Sequence, residues 1–126
     1  CRIQLIDTPG YADFRGAALA ALAAVDTVAV VVNAANGIEH GTRRMVEHAR
    51  QRGLACVLVV NRIDSDAAAL PALVEDLREA CGRECLPVNL PAAGGTEVRD
   101  AFFQREGDTD FSSLGEAHQQ LIDQVV

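Results

Sequence analysis

Two short stretches combine residue types that suit nucleotide chemistry. The first is Asp7-Thr8-Pro9-Gly10-Tyr11-Ala12-Asp13-Phe14. A carboxylate at Asp7 can hold Mg²⁺ through water, and a glycine at Gly10 lets a backbone N–H come close to a terminal phosphate. The second is Asn61-Arg62-Ile63-Asp64. The Asp64 carboxylate can accept two hydrogen bonds from the N1–H and N2–H₂ groups of guanine, a donor pair that adenine lacks. Asn61 can tie adjoining loops together, and the stem of Arg62 can cover one face of a base. Taken singly, each tetrapeptide also reads as ordinary structure. Asp-Thr-Pro-Gly is a turn signal, and Asn-Arg-Ile-Asp suits a loop that opens a helix with Asp64 as its cap.

Their positions along the chain favour the chemical reading. Residues 2–6 form a short apolar stretch expected to be a strand that ends at the Pro9-Gly10 turn signal. Residues 27–32 and 54–60 are unbroken Val-rich runs. Such runs read as strands buried on both faces of a parallel sheet. Residues 16–25 are Ala-rich and helical by propensity. Residues 39–52 carry Thr42, Met45, Val46 and Ala49 on one helical face, with Gly53 as a stop. Leu70, Leu73, Val74, Leu77 and Cys81 lie on another helical face, with Pro71 in its first turn and Gly82 at its end. The order βαβαβα predicts an α/β, doubly wound, mainly parallel sheet. Ligands bind such sheets at the carboxyl ends of the strands, where both stretches fall.

Beyond Gly82 the character changes. Residues 84–90 read as a strand and residues 91–110 as a Gly-, Pro- and acid-rich stretch with an apolar island at Ala101-Phe102-Phe103. Residues 114–126 read as a helix. Glu106 to Asp110 is expected to be a mobile acidic loop, and His118 a surface or half-buried helix residue.

Composition narrows the classes further. Hydrophobic residues make up 49% of 126 residues, enough for a core of one domain or part of one. No apolar run is long enough to cross a bilayer, and the first residues lack the pattern of a signal peptide. The net charge of −7 argues against a general nucleic-acid surface. All eleven basic residues are Arg. Arg43, Arg44, Arg50 and Arg52 read as a solvated helix face. Cys56 reads as a buried small hydrophobe, and the four cysteines as reduced thiols of a cytoplasmic protein.

Asp7-Thr8-Pro9-Gly10-x-x-Asp13-Phe14 resembles the switch-two box of elongation factor G and its relatives, and Asn61-Arg62-Ile63-Asp64 resembles their Asn-Lys-x-Asp guanine box. Val25-Asp26 and Asn36-Gly37-Ile38 are similar to the intervening segment of the same family. Pro87 to Pro91 and Glu116 to Ile122 look like the insert in its GTPase domain. The resemblance implies a partial P-loop GTPase fold, with residues 1–83 as a truncated core and 84–126 as the start of the insert subdomain. It implies GTP or GDP and Mg²⁺ as ligands of an intact parent, with Asp7 touching Mg²⁺ through water. Asp7, Thr8, Pro9, Gly10, Tyr11, Asn61, Arg62, Ile63 and Asp64 would contact GTP, and the ribosome would be the partner of the parent. Membrane and direct nucleic-acid binding are not expected.

Two departures qualify this. Tyr11 stands where the family places the His that positions the attacking water, as in a paralogous, elongation-factor-G-like branch. Tyr does not act as imidazole does near neutral pH, so slow hydrolysis is expected. Arg62 replaces the guanine-box Lys, and the chain has no Lys at all. These 126 residues contain no Gly-x-x-x-x-Gly-Lys-Ser/Thr loop, no switch-one Thr and no final guanine loop. By itself the segment is expected to be inactive and to bind no nucleotide. In the family's fold a further strand lies between residues 2–6 and 27–32. Without it, residues 2–6 are expected to pair directly with 27–32, or a second molecule to supply a strand by non-native self-association, or the strand to lie outside this segment. The alternative function is a non-catalytic nucleotide-sensing or interaction module derived from that family.

Overall fold

The computed structural model describes residues 1–65 and 69–125. Val126, expected at the end of the last helix, lies outside them. Four helices and four strands are present among the described residues: α1 (Arg15–Ala21), β1 (Thr27–Asn33), α2 (His40–Gln51), β2 (Ala55–Asn61), α3 (Leu70–Cys81), β3 (Asn89–Ala92), β4 (Glu97–Asp100) and α4 (Leu114–Val125). β1 and β2 pair in one two-stranded sheet, β3 and β4 in another. The α2 crossover makes the first pair parallel, as a crossover helix between neighbouring strands requires. The second pair is an antiparallel hairpin with Leu90 opposite Arg99 and Pro91 opposite Val98. The α/β class expected from the alternating elements is the one observed.

The chain forms two compact units, Cys1–Val31 with Glu39–Val59, and Val32–Ile38 with Val60–Val126. In the first, α2 buries Val46 and Ala49, the apolar face that its 3.6-residue period marks out. Its end is closed by two hydrogen bonds, Gly53 N–H to the Arg50 carbonyl (2.9 Å) and Leu54 N–H to the Ala49 carbonyl (3.0 Å). Gly53 stands at φ +67°, the left-handed turn that lets a helix satisfy its last carbonyls this way. From the end of α2, the Arg52 guanidinium reaches the Leu19 carbonyl of α1 at 3.4 Å.

In the second unit the core gathers Leu90, Ala101, Leu114, Ala117 and Leu121, with Leu86 and Phe111 packed against it. α3 buries Leu70, Leu73, Leu77 and Cys81, four of the five residues of its expected face. His118 is buried as well, contrary to the expectation of a surface or half-buried residue. Two partners explain how. Its Nδ1 lies 3.0 Å from the Ala101 carbonyl, and its Nε2 accepts the Nε–H of Arg105 at 3.2 Å. A guanidinium only donates, so Nε2 is the acceptor and Nδ1 carries the proton. A polar ring with both nitrogens bonded enters a core at little cost.

Three further expectations are corrected. Residues 2–6 form no strand, pair with nothing in β1, and leave Ile3 and Leu5 78% and 92% exposed. An isolated extended stretch has no stability without a neighbouring strand, and no described strand is bonded to it. The two Val-rich runs are not buried on both faces. β1 alternates, with Val28, Val30 and Val32 inside and Val31 outside, while Val57 and Val59 of β2 are exposed. Cys56 is exposed for the same reason, since it lies in that open strand. Finally, residues 91–110 hold β4, and Asp110 is fastened to the hairpin turn rather than lying in a mobile loop.

Replacing His118 with Ala leaves the buried Ala101 carbonyl without its donor and opens a cavity. The expected loss of stability is about 2–3 kcal/mol, read as a lower urea midpoint at unchanged slope.

Candidate functional site

The stretch Asp7 to Tyr11 belongs to the first unit. Residues 1–10 have no regular secondary structure, and Asp7, Pro9, Gly10 and Tyr11 are exposed, with Thr8 half-buried. The carbonyl of Tyr11 accepts the Phe14 N–H at 3.0 Å. That bond opens a 3-10 turn at Ala12–Phe14, which runs directly into α1. The Tyr11 ring is 78% exposed. A Cβ built on Gly10 meets no atom within 4 Å, so no neighbour in the protein demands glycine there. Asp7 offers a hard carboxylate oxygen. Mg²⁺ keeps several waters and takes one or two carboxylates together with substrate phosphates, so Asp7 fits a water-mediated contact to an ion that arrives with its nucleotide.

The second stretch, at the end of β2, belongs to the other unit. The Asn61 carbonyl accepts the Ala34 N–H at 2.9 Å, which joins the ends of β1 and β2 where their loops depart. The Asn61 side chain turns inward on its own loop, and its Oδ1 accepts the Arg62 N–H at 2.9 Å. It was expected to tie adjoining loops together; the backbone performs that link instead. Arg62 stands at φ +60°, a conformation uncommon for a residue with a side chain. The Ser65 hydroxyl and N–H then close the turn on the Arg62 carbonyl at 2.7 and 3.2 Å. On the β1 side, Asn33 holds the companion loop. Its Oδ1 accepts the Ala35 N–H (3.1 Å) and its carbonyl the N–H groups of Asn36 and Gly37.

This loop geometry leaves the Asp64 carboxylate exposed. Asp64 does not cap α3, which begins at Leu70 after an N-cap at Ala69 with no side-chain bond. Two acceptor oxygens on a fixed loop fit the paired N–H donors of guanine. Arg62 is exposed beside it, with its stem available to a base plane.

Two residues next to this loop were not foreseen. Gly95, in the β3–β4 turn, is buried against the Ile63 carbonyl, and Asp110 holds that turn with both carboxylate oxygens. The adjacent Gly94 and Gly95, followed by Thr96-Glu97-Val98, were a hairpin signal that the acid-rich surroundings obscured.

Comparison with known proteins gives the family. Residues 1–124 match the family model described as the elongation factor Tu GTP-binding domain. Peptide chain release factor 3 of Gloeobacter violaceus is 34% identical over 106 residues, covering 84% of this chain and 20% of that protein. Peptide chain release factor 3 of Streptococcus mutans is 33% identical over 120 residues, covering 90% and 23%. A crystal structure of a protein from Thermus thermophilus superposes with a TM-score of 0.68 at 32% identity, over 94% of this chain and 19% of the other. The chain thus spans about a fifth of the length of these relatives. With an α/β sheet and a family match along nearly its whole length, the chain belongs to the elongation factor Tu GTP-binding domain family, as part of the GTP-binding domain of a translational GTPase.

Proposed function

We propose that the intact protein is an elongation-factor-G-like translational GTPase that binds GTP with Mg²⁺ and hydrolyses it in the cytoplasm in coupling to the ribosome. The observation that carries this is the exposed Asp64 carboxylate on the hydrogen-bonded turn after β2. In this reading Asp64 accepts the guanine N–H pair, Asn61 and Ile63 hold the loop, and Arg62 lies along the base. Asp7, Thr8, Pro9 and Gly10 face the terminal phosphate and its ion, and Tyr11 stands at the water-positioning place. Mg²⁺, when bound, supplies charge neutralisation at the phosphates. Residues 1–83 form the GTPase core, and residues 84–126 begin an insert. The cluster around Leu90 and Leu114 supports a separate core for that insert. A second reading, a parent acting in termination, is favoured by the relatives named peptide chain release factor 3. Measuring GTP turnover of the full-length protein on elongating and on terminating ribosomes separates the two.

Asp64→Asn in the full-length protein replaces one acceptor with a donor facing guanine N–H groups. A hydrogen bond to a charged group contributes roughly 1.5–3 kcal/mol. The GTP-over-XTP preference is therefore expected to fall about ten- to a hundredfold in competition binding; an unchanged preference would remove the loop from base recognition.

Tyr11→His is expected to raise ribosome-stimulated turnover, because positioned acid–base groups contribute roughly 10²–10⁴-fold. Single-turnover hydrolysis measures it. No gain, with wild-type turnover absent as well, would point to the non-catalytic module instead.

A further inference from the structure

The β3–β4 turn is built against the backbone of the loop that carries Asp64. Ala93, Gly94 and Gly95 all stand at positive φ, +53°, +66° and +77°. Both glycine N–H groups donate to one carboxylate, Gly94 to Asp110 Oδ1 at 2.9 Å and Gly95 to Asp110 Oδ2 at 2.7 Å. Asp110 is itself anchored, its N–H donating to the Pro91 carbonyl of β3 at 2.8 Å. On the other side of the turn, the Thr96 hydroxyl donates to the Ala93 carbonyl at 2.8 Å. Charge-assisted bonds of this kind are about twice as strong as neutral ones, so the turn is held from both ends.

What the turn presses on is backbone. A Cβ at Gly95 would lie 2.5 Å from the Ile63 carbonyl oxygen, 2.9 Å from the Ile63 carbonyl carbon and 3.2 Å from the Asp64 Cα. At Gly107, by contrast, a Cβ would meet the side chains of Leu114 and Arg99, which can move aside. At Gly95 the obstacle is backbone, so room is made only by a shift between the turn and residues 63–64. A recognition group needs its place held within about 0.5 Å to form paired hydrogen bonds.

We infer that Gly95, clamped by Asp110, is a positioning residue for base selection. It sets the backbone at Ile63–Asp64 and thereby aligns the Asp64 carboxylate with the exocyclic amino group of guanine. The inference rests on the reading of Asp64 given above.

The test uses the full-length protein and two nucleotides, GTP and ITP, whose base lacks the N2 amino group. Dissociation constants are measured for the wild type, Gly95→Ala, Asp110→Asn and Asp64→Asn, with circular dichroism and thermal melting to show folding. Gly95→Ala is expected to lower the GTP-over-ITP preference about tenfold, the worth of one hydrogen bond to a charged group. Asp110→Asn, which adds no atom beside Ile63, is expected to lower it in the same direction and decides the matter if Gly95→Ala does not fold. A wild-type ratio in the folded hairpin variants, or equal weakening of both nucleotides, overturns the inference. If Asp64→Asn also leaves base preference unchanged, the reading of the loop falls, and the inference with it; if only Asp64→Asn shifts the preference, the inference alone falls.

Discussion

The hydrogen bond from the Ala34 N–H to the Asn61 carbonyl, 2.9 Å long, is the constraint on which the loop after β2 depends. It is made where β1 and β2 end. Beyond it each chain leaves the sheet with polar backbone groups that need partners. Asn33 and Asn61 supply them from their own side chains, to Ala35 and Arg62 respectively. Two asparagines at equivalent strand ends thus turn two strand exits into two fixed loops. The parallel pairing brings those exits side by side, which is why an α/β sheet offers its ligand sites at this edge.

Support for the second loop comes from a different kind of interaction. The turn at Arg62 is closed locally by Ser65, but Ile63 and Asp64 are set from below by a glycine that has no side chain to intervene. Short-range hydrogen bonds give the loop its shape, and steric exclusion gives it its place. Neither is supplied by the apolar core around Leu90, Ala101 and Leu114, which instead fixes where β3 and α4 run.

Much of this was legible in the residues. β1, α2, β2 and α3 follow from Val-rich runs and apolar residues at helical spacing, and their ends from Gly53 and Gly82. The two stretches with residues suited to nucleotide chemistry stand out in the sequence because each ends an apolar run. Other features depend on partners that no local pattern records. Residues 2–6 have the composition of a strand, yet a strand exists only beside another. Val57, Val59 and Cys56 have the composition of a core, yet burial requires something packed over them. His118 reads as a surface or half-buried residue until Ala101 and Arg105 are seen to satisfy its ring. Asp110 reads as one acid among several, because its partners lie 15 and 16 residues away.

That short separation makes the ledge a local unit. The hairpin, its turn and the Asp110 clamp draw on one stretch of chain, so little loop has to be closed to form them. The β1–β2 pair, by contrast, closes a longer loop that passes through all of α2. The ledge on which residues 63–64 rest is thus built within one stretch of chain, from contacts closer in sequence than those that join β1 to β2.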